Sequence, residues 1–582
     1  MNVFGALRDY IFAIIDPLVP PTSRRYDWLD SFVVEPPRDP SHGDVSTNVA
    51  MVLSRPAKMS PGELAALVAE KLREVEYVET VEIVGPGFIN LRLKTSRLQK
   101  QVADILDAGT AYGDSKMGKG KKVNVEYVSA NPTGPMHIGH ARGAVVGDAL
   151  ANLMAKAGYK VTKEYYINDA GAQVTALTWS VYYRYWEACG KKVDFSKAQY
   201  PGEYLIGVAE GLKEKYGETL LGMDEAKWFP LVREFTLDAM MDMIRADLAD
   251  LGIRHDVFTS EQSLHDQHKV AAVVEELKKE KMVYRGVLEP PKGKTPEDWE
   301  PREQVLFKTT QFGDDCDRPL QKSDGSWTYF AADVAYTKHK IERGFEALVM
   351  ILGADHAGYV RRMESAVNAL SAGHVKLTIL LCQLVKFMDE GQPIKMSKRA
   401  GTFTTVRDVI DAVGKDVIRF IMLTRKPDQH LEFDLAEVTQ QKRENPVFYV
   451  QYAHARCYSV LRMAAEETPD AVEPSSHPTV AQLEQLTQPE ELKLMRLLMV
   501  WPRVVENATL VREPHRVAYY LQELAAQFHS LWNSGNDDIT LRFIQKDAID
   551  VTVARLALAR ATAATIASGL AVLGVEPAEE LR

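Results

Sequence analysis

At 582 residues the chain is too long for a single hydrophobic core, and roughly three or four domains are expected. Its 46% hydrophobic and 26% charged residues are ordinary for a globular chain, and no unbroken apolar run reaches the roughly 18–20 residues that span a bilayer, so no membrane partner is expected. A net charge of -10 excludes indiscriminate binding of nucleic acid by bulk attraction, though not a nucleic acid held by local basic patches.

In chain order, Met1 to Pro21 is apolar in patches but carries Arg8, Asp9 and Asp16. It lacks a basic leader and a small-residue cleavage site, so it reads as an amphipathic helix and not as a signal peptide. A proline-rich loop (Pro36, Pro37, Pro40) leads to a helix from Asn48. Val81 to Leu93 then alternates about the turn Gly85-Pro86-Gly87, the pattern of two short strands. Residues 1–112 are expected to form an α+β domain, followed by a basic glycine-containing linker from Lys116 to Lys122.

Residues 113–385 read as a doubly wound, Rossmann-type α/β domain. Its first half is a strand at Val123–Val128, a Gly/Pro-rich turn, a helix at Ala141–Ala157 and a strand at Val161–Ile167. A mainly helical insertion is expected over about 173–300, where Trp179, Tyr182, Tyr183, Tyr185 and Trp186 read as core packing. Leu348–Leu352 and Leu377–Leu381 read as buried parallel strands. Residues 386–444 hold a basic loop and a helix from Val406 to Leu423, and residues 445–582 read as an all-α bundle. The fold class is therefore α/β multidomain, with an N-terminal α+β domain and a C-terminal helical bundle. Cys189, Cys316, Cys382 and Cys457 form no Cys-x-x-Cys pair, so neither structural zinc nor a disulfide framework is expected, and a reducing cytoplasm fits.

The chemistry concentrates in Ser129-Ala130-Asn131-Pro132-Thr133-Gly134-Pro135-Met136-His137-Ile138-Gly139-His140. A strand, a turn and a helix start direct free N–H groups and the positive end of the helix dipole at one place, where an anion binds. Two histidines spaced by Ile-Gly sit where a nucleotide's phosphates would lie, and the glycine admits a flat base close to the backbone. Far downstream lies a second basic element, Lys395-Met396-Ser397-Lys398-Arg399-Ala400-Gly401-Thr402. Either element alone is weak: paired histidines also start ordinary helices, and a lysine turn is usually a solvated one.

Together and in this order they resemble the HIGH and KMSKS signatures of the class I aminoacyl-tRNA synthetases, the second matched up to Arg399. The resemblance implies that His137, His140, Lys395 and Lys398 act on the triphosphate, with Gly134, Gly139, Met396 and Ser397 completing an ATP site and Mg²⁺ neutralising further charge; no protein metal ligands are assigned. Between the signatures, Trp327-Thr328-Tyr329-Phe330-Ala331-Ala332-Asp333-Val334-Ala335-Tyr336 reads by itself as an edge strand entering a helix capped by Asp333. With Glu126, Ser129 and Asn131 it resembles the arginine pocket of the arginyl-tRNA synthetases. That implies Asp333 taking the guanidinium beside Tyr329, Glu126 as a second carboxylate, and Ser129 and Asn131 on the polar head. Asp355 and His356 are placed at the rim. A planar cation with five donors is well matched by fixed carboxylates, and lysine cannot reproduce the fork.

The resemblance covers nearly the whole chain, with His42–Asn48 and Gly85–Asn90 similar to the family's added domain at the tRNA elbow, and Tyr449–Arg456 similar to its anticodon-binding bundle. It implies ligation of arginine to tRNA(Arg) at the expense of ATP by a cytoplasmic monomer. Tyr449, Tyr452 and Arg456 are candidates for stacking or phosphate contact, although bundle core is the first expectation for the two tyrosines. Against other amino acids stand the missing cysteine-based zinc sites of the cysteinyl and methionyl enzymes and the absence of room for a long editing insertion. A non-catalytic relative would have no physical need of all four signature residues.

Overall fold

The computed structural model describes residues 2–19, 31–195, 198–288, 302–393, 405–440, 445–472 and 477–581. Its contacts divide the chain into two units: Lys116–Gln441, and Met1–Ser115 together with Lys442–Arg582.

The unit Lys116–Gln441 is organised on a five-stranded parallel sheet made of Lys122–Glu126 (β1), Lys160–Ile167 (β2), Val257–Ser260 (β3), Ala347–Gly353 (β4) and Lys376–Cys382 (β5). The strand order is β3-β2-β1-β4-β5, so the winding reverses between β1 and β4. Open α/β sheets bind their ligands at the carboxyl ends of the strands at such a reversal. Four consecutive residues of β1, Val123 to Glu126, are buried, as a strand covered on both faces requires.

The described residues of 173–300 are mainly helical and also supply β3, whose four residues are too short a run to register between long helices. One expectation changes here. The single helix expected over Val406–Leu423 is two, Val406–Val413 and Lys415–Met422. Gly414 separates them at φ 79°, closing the first with its N–H on the Ile410 carbonyl.

Inside the sheet one buried carboxylate gathers several donors. Glu164 on β2, with no exposed surface, accepts from Asn124 at 2.5 Å, Thr259 at 2.7 Å, Tyr336 at 3.0 Å and Arg343 at 2.8 and 2.9 Å. Those donors tie three strands to the helix Tyr329–Glu342, and they remove the several kcal/mol that a lone buried carboxylate would cost. One turn further along that helix from Tyr336, buried Lys340 pairs with Glu126.

The helix Ala141–Lys156 (α1) leaves the turn after β1 and seats on the strand end through Gly147. A Cβ there would lie 2.3 Å from Cγ of Tyr127, a ring with no exposed surface. Gly147→Ala is therefore expected to lower the thermal midpoint, with overpacking of about 1–3 kcal/mol. A melting curve that superimposes on the wild-type one would show instead that Tyr127 moves aside.

In the other unit, a four-stranded antiparallel sheet runs in the order Val34–Glu35, Val45–Thr47, Phe88–Leu93, Val78–Val84. The long helices Pro446–Glu467, Pro489–Val511, His515–Asp537 and Ile549–Leu573 form the bundle. Ile549–Leu573 has the length and mean hydropathy (1.6) of a membrane span, beyond what the run of apolar residues suggested, but 78% of that stretch is buried among the other helices. The first and last segments of the chain share a core. Trp501, fully buried, donates to the carbonyl of Tyr112 at 2.9 Å and to Ser568 at 3.1 Å, and Arg496 reaches Asp44 at 2.5 Å.

Candidate active site

Where β1 ends at Glu126, the chain turns sharply. Val128 (φ 70°) and Ser129 (φ 39°) both lie in the left-handed region, which a β-branched residue adopts only when its surroundings force it. The surroundings do so: Asn168 donates to the Ser129 carbonyl at 3.1 Å, Tyr165 to that of Ala130 at 2.7 Å, and Tyr204 to that of Thr133 at 2.7 Å. The turn delivers His137 as the cap of a short 3₁₀ turn, Ile138–His140, that runs straight into α1. The two imidazoles stack with centroids 3.7 Å apart and 23° between planes. A Cβ on Gly139 would fall 2.8 Å from the His137 ring, so only glycine leaves that arrangement undisturbed.

A cavity of about 580 Å³ opens at the reversal between β1 and β4. His137, Gly139 and His140 line one part of it, together with Ser129 and Asn131. Glu126, Tyr329, Asp333, Asp355 and His356 also line it, so these ten expected residues are gathered in one place. Asp355 and His356 are exposed in the 3₁₀ segment after β4, 3.7 Å from each other. Tyr329 is 75% exposed. Gly134 does not line the cavity but packs on the Tyr204 ring. Lys395, Met396, Ser397 and Lys398 lie outside the described residues. The chain that follows them returns beside the histidines: Thr405 pairs with His137 in an antiparallel bridge, and Val406 N–H donates to the Met136 carbonyl at 2.8 Å.

Asp333 does not cap its helix. The cap is Thr328, whose hydroxyl accepts from the Ala331 N–H at 3.2 Å, leaving Asp333 in the second turn with its carboxylate receiving the Tyr359 hydroxyl. Burial, reinforced by Glu261 and Glu126, pushes the Asp333 carboxyl up to about 8. Glu261, the residue following β3, also lines the cavity, and burial next to Asp169 pushes it up to about 7. Tyr166 adds a buried hydroxyl without a hydrogen-bond partner. Glu126 is different: one oxygen is taken by Lys340, and the other lies 3.4 Å from the Ser129 hydroxyl, which itself accepts from Tyr166 N–H.

Sequence reasoning missed Glu261, Tyr166 and Tyr359. Glu261 follows the unrecognised strand β3, and Tyr359 ends the segment that begins at Ala354. Locating β3 would have placed Glu261 at a strand's carboxyl end, where ligands bind. The cavity is thus lined both by carboxylates, able to take a forked cation, and by the histidines of a helix start, able to take phosphate. Among the described residues no group of three or more His, Cys, Asp or Glu is placed to hold a metal ion.

Three family models match the chain: an arginyl tRNA synthetase N terminal domain over residues 6–93, a class I (R) tRNA synthetase catalytic domain over 101–437, and a DALR anticodon binding domain over 450–581. A protein of Ruegeria pomeroyi described as arginine--tRNA ligase is 57% identical over 584 residues, covering 100% of both chains. One from Rhizobium meliloti with the same description is 54% identical, covering 94% of each. Among solved structures, a putative arginyl-tRNA synthetase of Campylobacter jejuni superposes with a TM-score of 0.71 at 31% identity, over 84% of this chain and 100% of that one. Arginyl-tRNA synthetase of Thermus thermophilus shares the fold over 100% of both chains, with a TM-score of 0.74 at 21% identity. The matched models in chain order, and relatives of more than half identity along its whole length, place this chain in the arginyl-tRNA synthetase family.

Proposed function

We infer that the protein activates arginine with ATP and transfers it to the 3′ end of tRNA(Arg). The observation that carries this reading is a single cavity lined both by Asp333 and Glu261 and by His137 and His140. An arginine carboxylate oxygen attacks the α-phosphorus, the bond to the β-phosphate bridge breaks, and pyrophosphate leaves. A terminal ribose hydroxyl of the tRNA then attacks the acyl carbon and AMP leaves.

In this reading Asp333 receives the guanidinium in a bidentate pair with Tyr329 beside it. Glu261 supplies the second carboxylate in place of Glu126, whose charge Lys340 already meets. Glu126, Ser129 and Asn131 then face the α-amino and carboxylate head, with Asp355 and His356 at the rim. His137 and His140 hold the triphosphate over the start of α1, with Gly134 and Gly139 keeping the backbone approach open. Lys395 and Lys398, with Met396 and Ser397, stabilise the departing pyrophosphate. Placed donors are what this transition state needs, since negative charge gathers on the phosphate oxygens. Mg²⁺ enters as part of the MgATP substrate, carried by the phosphates. The N-terminal segment contacts the tRNA elbow. The bundle takes the anticodon, where surface Tyr452 carries Arg456 4.4 Å from its ring centroid, outside the core expected for it from sequence. The enzyme works as a cytoplasmic monomer.

Aminoacylation of total tRNA with each of the twenty amino acids tests the reading: arginine alone should be charged, and charging of another amino acid in its place would end it. Pyrophosphate exchange should stay near background until tRNA(Arg) is added.

The acidic pocket also sets a pH dependence. With Asp333 raised to about 8 and Glu261 to about 7, the empty pocket holds protons at neutral pH that the guanidinium must displace. Arginine affinity should therefore strengthen as pH rises towards 8, by about tenfold per pH unit for each proton released. Calorimetry in buffers of different ionisation enthalpy should record proton release near pH 7. Affinity that is flat between pH 6 and 8 contradicts a protonated pocket.

A further inference from the structure

Arg142, the second residue of α1, is 1% exposed, yet its hydrogen bonds go to main-chain carbonyls and not to a carboxylate. Nη1 donates to the Gln383 carbonyl at 3.0 Å and to that of Gln429 at 2.6 Å, while Nη2 donates to that of Lys426 at 2.9 Å. Gln383 follows β5 and precedes the lysine motif, whereas Lys426 and Gln429 come after it. Gln383 N–H also donates to the Pro427 carbonyl at 2.8 Å, so the two flanks meet where the guanidinium holds them.

Burying a cation costs several kcal/mol, and an apolar side chain would fill the same space without that cost. What an apolar residue cannot do is bind three carbonyls from two separate chain segments, as the two terminal nitrogens of the guanidinium do. Further along α1, Asp148 (2% exposed) accepts from Arg419 Nη2 at 2.5 Å. Arg419, with no exposed surface, lies on the helix Lys415–Met422 and also donates to the Leu251 carbonyl at 2.9 Å. Lys163 at 2.7 Å is a second cation on Asp148. With the Thr405–His137 bridge, the helix that starts at the histidines is therefore fastened to chain on both sides of residues 394–404.

We propose that Arg142, supported by the Asp148–Arg419 pair, is a positioning residue for arginine activation: it sets the registration between the histidine-bearing start of α1 and the two roots of the lysine motif. This rests on the proposed action of Lys398 on the triphosphate. A fork that merely stabilised the fold would affect how much enzyme is folded, whereas a positioning fork affects how well the lysine works in each folded molecule.

A double-mutant cycle separates these. Exchange of pyrophosphate is measured with tRNA(Arg) present for wild type, Arg142→Lys, Lys398→Ala and the double variant, each normalised to titrated active sites. Each single variant should lower kcat about tenfold or more with KM for arginine within about twofold, and the double variant should fall no more than about twofold below the poorer single one. Losses that multiply in the double variant overturn the positioning role and leave the function of Lys398 standing. Wild-type kcat in Lys398→Ala removes the role of that lysine, and the proposal with it. Wild-type kcat per site in Arg142→Lys overturns the proposal alone. Should Arg142→Lys not fold, the isosteric Asp148→Asn replaces it with the same expectation; failure of both to fold makes the network purely structural and overturns the proposal.

Discussion

Asp333→Ala should raise the KM for arginine about 100-fold, because removing one partner of a desolvated charge pair costs about 3 kcal/mol. The loss should fall on arginine alone: the histidines proposed to hold the triphosphate belong to the start of α1, a different helix, so the KM for ATP should stay within about twofold. Asp333→Asn sharpens the test, since it keeps the shape and an acceptor for the Tyr359 hydroxyl while removing the charge. Nearly the full loss in Asn would assign the effect to charge. An unaltered arginine KM in either variant would remove Asp333 from the pocket, and amino-acid choice would then have to rest on other side chains.

His140→Ala should act on the other coordinate of the reaction. Loss of one donor placed for transition-state charge lowers kcat by about 10²–10³, equivalent to about 2.7–4 kcal/mol. KM for arginine should hardly move, because the proposed reading gives His140 to the triphosphate and not to the guanidinium. The variant should retain its melting temperature, since the side chain is partly exposed and caps nothing. Exchange measured with tRNA(Arg) at saturating arginine and ATP reads the effect directly. If kcat survives while KM for ATP alone rises, the histidine binds the ground state only, and its place in transition-state stabilisation must be given up.

Which parts of this molecule could be read from its residues follows from the range over which each signal acts. The strand–turn–helix at β1 and α1 is local, with strong apolar strand and helix patterns on either side of a Gly/Pro turn, and it was legible. So were the strands β4 and β5, whose apolar runs end in glycine or cysteine, although β5 is an edge strand with only Cys382 buried and not the buried strand expected. β3 was not, because Val-Phe-Thr-Ser is short and takes its identity from pairing with Tyr165 and Tyr166 on β2, nearly a hundred residues earlier. Glu261 was lost with it. Glu126 shows another limit of range: its type and place suggest a role with the guanidinium, but nothing local announces that Lys340, some two hundred residues away, also pairs with it. A residue's partner is a tertiary fact, and charge pairing in particular is decided by whatever else the fold brings near. The break at Gly414 was visible as a residue, but its weight was underestimated, since an isolated glycine within a helical pattern is often tolerated.

The core shared by Tyr112 and Trp501 has a consequence during biosynthesis. About 330 residues separate Ser115 from Lys442, and at roughly 5–20 residues per second the ribosome needs about 15–65 s to traverse them. Throughout that interval the nascent first segment presents to solvent the apolar surface that the bundle will later cover. A stalled or truncated translation product would thus carry a permanently uncovered patch, suited to capture by a holdase chaperone, whereas full-length chains escape once Trp501 docks.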